Sequence, residues 1–303
     1  MPISEALPGS AGGEARRYKI GVVCLVAATF FTSLAGILVR LIEAAGGWQI
    51  LFYRSLAFLA AMLLFIAYRH RGRTVAAFTG VGGTGLAISL CLTGAFIAFI
   101  FALLQTTVAN VVFTVSLSPF FAALFAWLLM RETVAPATFA AMVLSLAGIS
   151  LMFGDGLAAG TLAGNLLALA SCLCYSAALV AMRKGRSVDM IPAVCLAGIG
   201  SAAIAAILAP DLSISRHDLG ITALLGVAQL ALQYILVTTA TRFVPAAEVA
   251  LIGRLTLIMA PLWVWIGVGE VPSVLTLAGG AIILTAVTGQ GVFALRRARR
   301  AAV

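Results

Sequence analysis

Runs of mostly apolar residues, each long enough to cross a bilayer as a helix, make up nearly all of this 303-residue chain. They lie at 19–42, 49–68, 82–104, 107–130, 135–153, 161–183, 189–209, 218–241, 246–267 and 273–294, and short clusters of Gly, Pro and charged residues separate them. Within each run the apolar residues are continuous. A membrane β-barrel would instead show short segments of alternating polarity. The pattern therefore predicts an all-α integral membrane protein with ten transmembrane helices. Gly46-Gly47 closes the first connection, and Pro136 and Pro272 stand in first-turn positions, where a missing N–H costs little. Only Gln105-Thr106-Thr107 interrupts the third and fourth runs, which makes that boundary the weakest in the pattern.

Charge fixes the orientation. Only 10% of residues are charged, against about 25% in a soluble domain. With ten spans both tails share one side. That side collects fifteen of the 19 Lys and Arg: Arg16, Arg17, Lys19, Arg69, Arg71, Arg73, Arg131, Arg183, Lys184, Arg186, Arg242, Arg296, Arg297, Arg299 and Arg300. The other side holds Arg216 and, at a helix end, Arg40, while Arg54 and Arg254 fall inside spans. The positive-inside rule makes both termini cytoplasmic. The same distribution accounts for the net charge of +9 and argues against nucleic acid as a partner. Met1 to Ala15 reads as a disordered tail without the layout of a secretory signal. All five cysteines lie inside spans, and Cys172-Leu173-Cys174 is too closely spaced for the usual CxxC ligation, so neither a disulfide framework nor a metal site is expected. No cofactor is implied.

The chain also repeats itself. ALLQTTVANVVFTVSLSPFFAALFAWLLMRETVAP from Ala102 resembles ATRFVPAAEVALIGRLTLIMAPLWVWIGVGEVPSV from Ala240 at an offset of about 138, with Ala109 meeting Ala247 and Glu132 meeting Glu270. The early helices align at about 143, which places Ser33 on Ser176 and Arg40 on Arg183. Each half then has five spans. Because five is odd, the second half must enter from the opposite face, and the basic loops shift accordingly: Arg131 becomes Gly269, and the Arg69–Arg73 loop becomes Asp211–Asp218. The expected organisation is a cytoplasmic tail (1–17), a first five-helix repeat (18–154), an extracytoplasmic linker (155–160), a second, inverted repeat (161–295) and a basic tail (296–303). Inverted repeats of this kind enclose a substrate site near the bilayer midplane.

Several positions in combination resemble the drug/metabolite transporter superfamily in its ten-helix exporter branch: Ala109, Pro119, Glu132 and Gly148 in the first half, Ala247, Pro261 and Glu270 in the second, and Arg54 within Tyr53-Arg54-Ser55. The resemblance covers about residues 18–295 and is nearest to bacterial exporters of aromatic and other neutral amino acids. It implies a multi-pass protein of a bacterial-type inner (plasma) membrane. It also implies a central cavity lined by spans one, three, four, six, eight and nine. Pro261 falls one turn later than Pro119 in the repeat alignment, so the two kinks need not be symmetric.

Arg254 is the leading candidate for function. It lies eight residues into an otherwise apolar stretch, about 12 Å deep at helical rise, where an unpaired cation is costly. An arginine fork binds carboxylate bidentately. Glu248 is six residues away and points about 120° off on an ideal helix, so an in-helix pair is disfavoured. Deep polar residues on the same helices complete the candidate substrate site: Ser33, Asn110, Thr114, Tyr175, Ser176, Gln229, Gln233 and Tyr234. Any single Ser or Thr is more readily a source of interhelical hydrogen bonds, and the paired glutamines suit either role. Arg54, close to the extracytoplasmic end, is expected to form a gate or structural pair with Glu43 or Glu270, and Glu248 belongs to the same gate or structural class. Pro119 and Pro261 free the carbonyls of Val115 and Leu257 and are hinge or kink candidates. Phe96, Phe99 and Phe101 are expected in packing, and Trp263 and Trp265 point to opposite sides of their helix.

These readings converge on an alternating-access exporter of amino acids or similar small zwitterionic metabolites, embedded in the lipid bilayer. A carrier of organophosphates, nucleotide sugars or other anions is the alternative, and it calls for a second deep cation beside Arg254. No His/Asp cluster or Asp-rich motif supports an enzyme. Oligomeric state is not legible in the sequence.

Overall fold

The structure, a computed structural model, describes residues 9–69, 78, 81–131, 135–158, 161–184 and 191–301; His70, Arg71, Arg73, Glu132 and Arg186 lie outside these. Among the described residues ten helices are long and apolar enough to span a membrane: α1 (Ala15–Arg40), α2 (Gly47–Tyr68), α3 (Gly82–Gln105), α4 (Val108–Met130), α5 (Pro136–Gly154), α6 (Leu162–Lys184), α7 (Ile191–Leu208), α8 (Arg216–Ala240), α9 (Glu248–Val268) and α10 (Val274–Phe293). The weak boundary between α3 and α4 is real. Thr106 is extended, and Thr107 caps α4 by accepting from the Asn110 N–H with its side chain, which satisfies one donor that the helix start leaves free. Large apolar side chains such as Leu64, Leu129, Ile207 and Val274 remain exposed on the outer surface, as expected where acyl chains rather than water surround the bundle.

The helices pair in a regular way. α3 packs on α6 as α1 packs on α8; α3 meets α7 as α2 meets α8; α4 meets α6 as α1 meets α9. α2–α7, α4–α9 and α5–α10 are also paired. Exchanging each helix with the one five places along maps these pairs onto one another, whereas the packing of α10 on α9 and on α4 is not matched by α5 on α4 and on α9.

The breaks of α4 and α9 follow the repeat residue by residue. α4 consists of Val108–Val115 and Ser118–Met130, and α9 begins with Ala246–Gly253 and continues as Thr256–Val268, so the two interruptions stand 138 residues apart. Arg131 and Gly269 end the two helices in the same left-handed conformation, φ 55° and 71°. The breaks thus correspond, while the two prolines keep the one-turn offset they have in the repeat alignment. Pro119 lies in the first turn after the α4 break, but Pro261 sits inside the second half of α9, beyond the break at Arg254–Leu255. The Val115 carbonyl faces the Cys172 thiol at 3.8 Å. Two further interruptions have no counterpart: α1 breaks at Leu34, and Leu225–Leu232 of α8 is a π-helix.

Gly148 of α5 and Gly279 of α10 bring two backbones together. A Cβ on Gly279 would stand 2.5 Å from the Gly148 carbonyl oxygen, and one on Gly148 would stand 2.7 Å from that of Gly279. The small residues around Gly279 therefore serve contacts within the chain, and Gly280 faces the Phe113 ring. Gly279→Leu is expected to cost on the order of 1–3 kcal/mol by overpacking, seen as a lower thermal midpoint in detergent. Gly154→Leu, where a Cβ meets nothing within 4 Å, should leave the midpoint in place.

Candidate functional site

At the end of the bundle opposite the termini, two carboxylates cross-link the helix ends. Arg40, at the end of α1, donates from Nε to Glu270 Oε2 at 2.6 Å, and from its two terminal nitrogens to the carbonyls of Leu103 and Thr106. Glu270 Oε1 in turn accepts from the Val108 N–H at 2.8 Å. One ion pair thus joins the ends of α1, α3 and α9 to the start of α4. Beside it, Asp218 accepts from the backbone N–H groups of Glu43, Ala44 and Ala45 at 2.9–3.0 Å, which binds the α1–α2 loop to the first turn of α8.

Beneath this closure lies a cavity of about 400 Å³. Its walls come from α1 (Thr32, Ala35, Gly36), α3 (Phe99, Leu103), α4 (Val112 to Pro119), α6 (Tyr175, Leu179), α9 (Ala250 to Ala260) and α10 (Val287). The expected contribution of α8 is absent and α10 takes its place. The π-helical segment explains this: Gly226 is turned onto the α2 backbone, where a Cβ would meet the Arg54 carbonyl oxygen at 2.3 Å. Gln229 faces Arg54 at 3.5 Å.

Arg254 lies at the interruption of α9, where the chain leaves its first helix at Gly253. It lines the cavity, and its side chain passes over Gly291 of α10, where a Cβ would stand 3.6 Å from Nε and Nη2. Its Nε is buried without a hydrogen-bond partner, and among the described residues no carboxylate lies within ion-pair distance. Glu248 instead accepts from the Tyr18 hydroxyl at 2.7 Å, joining α1 to α9 near the termini. That contact, Trp263 Nε1 to Ser33 Oγ at 2.9 Å, and the Arg40–Glu270 pair are all separated by 230 residues. They form one ladder along the parallel helices α1 and α9.

The structure divides the other candidates. Tyr175 lines the cavity with Arg254. Ser33 is held by Trp263, and Ser176 donates to the carbonyls of Cys172 and Ser118. Asn110 joins Thr106, Asn165 of α6 and Thr276 of α10 in a buried network with contacts of 2.7–3.2 Å. Thr114 is buried with its hydroxyl unpartnered. Tyr234 lines a separate pocket of about 160 Å³ with Met62, Phe65 and Met182, and Gln233 beside it is half-buried. Arg54 departs most from expectation. It does not pair with Glu43 or Glu270, since Glu270 belongs to Arg40. It is 1% exposed, lies 5.4 Å from the centre of the Phe96 ring, and leaves Nε and Nη1 without partners. Phe99 lines the cavity, Phe101 packs edge-on against Trp48, and Trp263 and Trp265 face opposite sides. Reasoning from sequence missed the cavity residues Thr32, Ser116 and Thr256; as single hydroxyls in apolar runs they carried no distinguishing signal.

The profile of the EamA-like transporter family matches the chain twice, over residues 19–154 and again over 162–289. The chain belongs to the EamA-like transporter family. As a member it is a multi-pass membrane transporter of small molecules, not an enzyme. Among the described residues no three His, Cys, Asp or Glu gather as a metal site would need. No curated protein matches the sequence. One solved crystal structure has the same fold, with a TM-score of 0.62 at 20% identity over 93% of this chain and 97% of that one.

Proposed function

We propose that this EamA-like transporter exports amino acids, aromatic or neutral, or similar small zwitterionic metabolites, by alternating access. Arg254 carries the reading. It is an unpaired cation at a helix break, in a cavity of about 400 Å³ that falls within the usual range for small-molecule sites. The guanidinium receives the substrate carboxylate, with Phe99 and Tyr175 in the walls beside the side chain. An organophosphate or nucleotide-sugar carrier would need more positive charge, and among the described residues Arg254 is the one cation lining this cavity.

Two halves, 18–154 and 161–295, inserted in opposite directions, supply the moving parts. The principal helix pairings, which interchange when each helix is moved five places along, and the matched breaks of α4 and α9 support that arrangement. With both tails cytoplasmic in a bacterial-type inner membrane, the Arg40–Glu270 closure lies on the extracytoplasmic side, and the cavity takes its load from the cytoplasm. Pro119 and Pro261 remain hinge candidates for the rocking step, while Ser33, Ser176, Asn110, Thr114 and the α8 residues Gln229, Gln233 and Tyr234 act at the helix contacts that rearrange.

Counterflow of radiolabelled phenylalanine, leucine and alanine in proteoliposomes tests this. Saturable flux is expected, and Arg254→Gln should reduce kcat/KM at least tenfold, the equivalent of about 1.4 kcal/mol. Flux that does not saturate for any amino acid, or kinetics unchanged in Arg254→Gln, would reject the assignment.

A further inference from the structure

Arg254 faces a second space. α9 packs on α10 through Ala246–Gly253, and beyond the break the two helices leave a groove on the lipid-facing surface. Its inner stretch, about 630 Å³, runs between Leu251, Arg254 and Leu255 of α9 and Leu284, Thr285 and Thr288 of α10. Its outer stretch, about 430 Å³, continues past Leu262, Trp265 and Leu277. Ile258 and Leu284 belong to both stretches, so the groove is continuous. Arg254 lines both the inner stretch and the central cavity, and Leu257 lines both the outer stretch and the central cavity. These two side chains therefore belong to the wall between the cavity and the bilayer.

The geometry points to this groove as a lateral portal for amphipathic carboxylates, with the acid on Arg254 and a hydrocarbon or aryl tail along the apolar track. Among the described residues the groove offers one cation, and its walls are otherwise apolar except for the Thr285 and Thr288 hydroxyls. That complements one anionic head and one apolar tail. Depth selects the head. Arg254 lies about 12 Å into the hydrocarbon at helical rise, below the level of phospholipid headgroups. A carboxylic acid enters the hydrocarbon in its neutral form, because desolvation disfavours the charged one, and ionises against the guanidinium by giving its proton to solvent through the central cavity that Arg254 also lines. A phosphodiester stays charged and remains at the interface. The proposal rests on the reading of Arg254 as the carboxylate receptor of the transport cavity, and it extends the substrate range toward hydrophobic acids that reach the site from the membrane.

Trp265, 56% exposed in the outer stretch, reports on the occupant. In phosphatidylcholine nanodiscs the full chain is titrated with 12-bromododecanoate and, separately, with its methyl ester. The quenching assigned to Trp265 is the part lost in Trp265→Phe. The acid is expected to quench saturably at concentrations at least tenfold below the ester. Arg254→Gln should bring the acid to the level of the ester, and Arg254→Lys should keep part of the preference. Equal quenching by acid and ester in the unmodified protein overturns the portal without recourse to any variant. So does an acid preference that survives Arg254→Gln, or displacement of the acid by phosphatidylglycerol, which would assign the groove to anionic lipid. Absent amino-acid counterflow beside an intact acid preference removes the amino-acid reading and keeps the groove. Normal counterflow beside equal quenching does the reverse.

Discussion

Arg54→Met should raise the thermal midpoint of the protein and abolish its transport. Arg54 heads the largest fully buried side chains of the chain, and two of its three guanidinium nitrogens have no partner. Its one polar contact, with Gln229 at 3.5 Å, is at the limit of a hydrogen bond, and the contact with Phe96 returns about 0.5–2 kcal/mol. Neither offsets the several kcal/mol that burying an ion costs. Methionine is unbranched and adapts to irregular space, so removing the charge should stabilise the fold by on the order of 1–4 kcal/mol. A group this costly inside a membrane persists where function requires it, and Arg54 lies where the π-helix of α8 presses on α2, at a contact between the two halves of the chain. π-Helical segments recur at functional sites. Thermal unfolding in detergent and counterflow in proteoliposomes, measured on the same preparations, decide the matter. A lowered midpoint would show that the guanidinium is paired in the native protein. Unchanged flux would reduce Arg54 to packing.

The helices were legible because each one is an apolar run bounded by a residue with a mechanism: Thr107 as a cap, Pro136 in a first turn, Gly269 in a left-handed end. Even the register of the α4 and α9 breaks was present in the 138-residue alignment, although the prolines drew attention away from it. The break at Leu34 and the π-helix of α8 left no trace, since both interrupt the hydrogen-bond ladder without interrupting the apolar pattern. Arg254 stood out because depth alone makes a cation improbable, and the structure places it in the cavity wall. Arg54 was misread because its distance from the helix end suggested a path to water, while α3 and α8, packed against α2, close that path. The partners of Asn110 could not be found either. Asn165 and Thr276 come from helices whose rotation depends on packing, and packing is not a property of any one segment. The Arg40–Glu270 pair was within reach, for both residues fall at helix ends on the same side of the membrane.

Breaking that pair should open the cavity to the far side. Arg40 and Glu270 are partly buried, and each charged hydrogen bond lost costs about 1.5–3 kcal/mol. Glu270→Gln removes the charge from the bond to Arg40 and leaves the guanidinium held by neutral oxygens alone. With the five cysteines replaced by alanine and Ser116→Cys placed in the cavity wall, labelling by a membrane-impermeant thiol reagent from the extracytoplasmic side should accelerate at least tenfold in Glu270→Gln and in Arg40→Gln. Reversing both charges together, Arg40→Glu with Glu270→Arg, should not restore the slow rate. A simple ion pair would tolerate the exchange, but here each member has neutral partners of fixed polarity. A carboxylate at position 40 would face the carbonyls of Leu103 and Thr106, and a guanidinium at position 270 would face the Val108 N–H. Every ancillary bond would become repulsive. Recovery of slow labelling in the double reversal would mean that charge alone holds the closure, and unchanged labelling in both single variants would mean that the cavity is closed elsewhere.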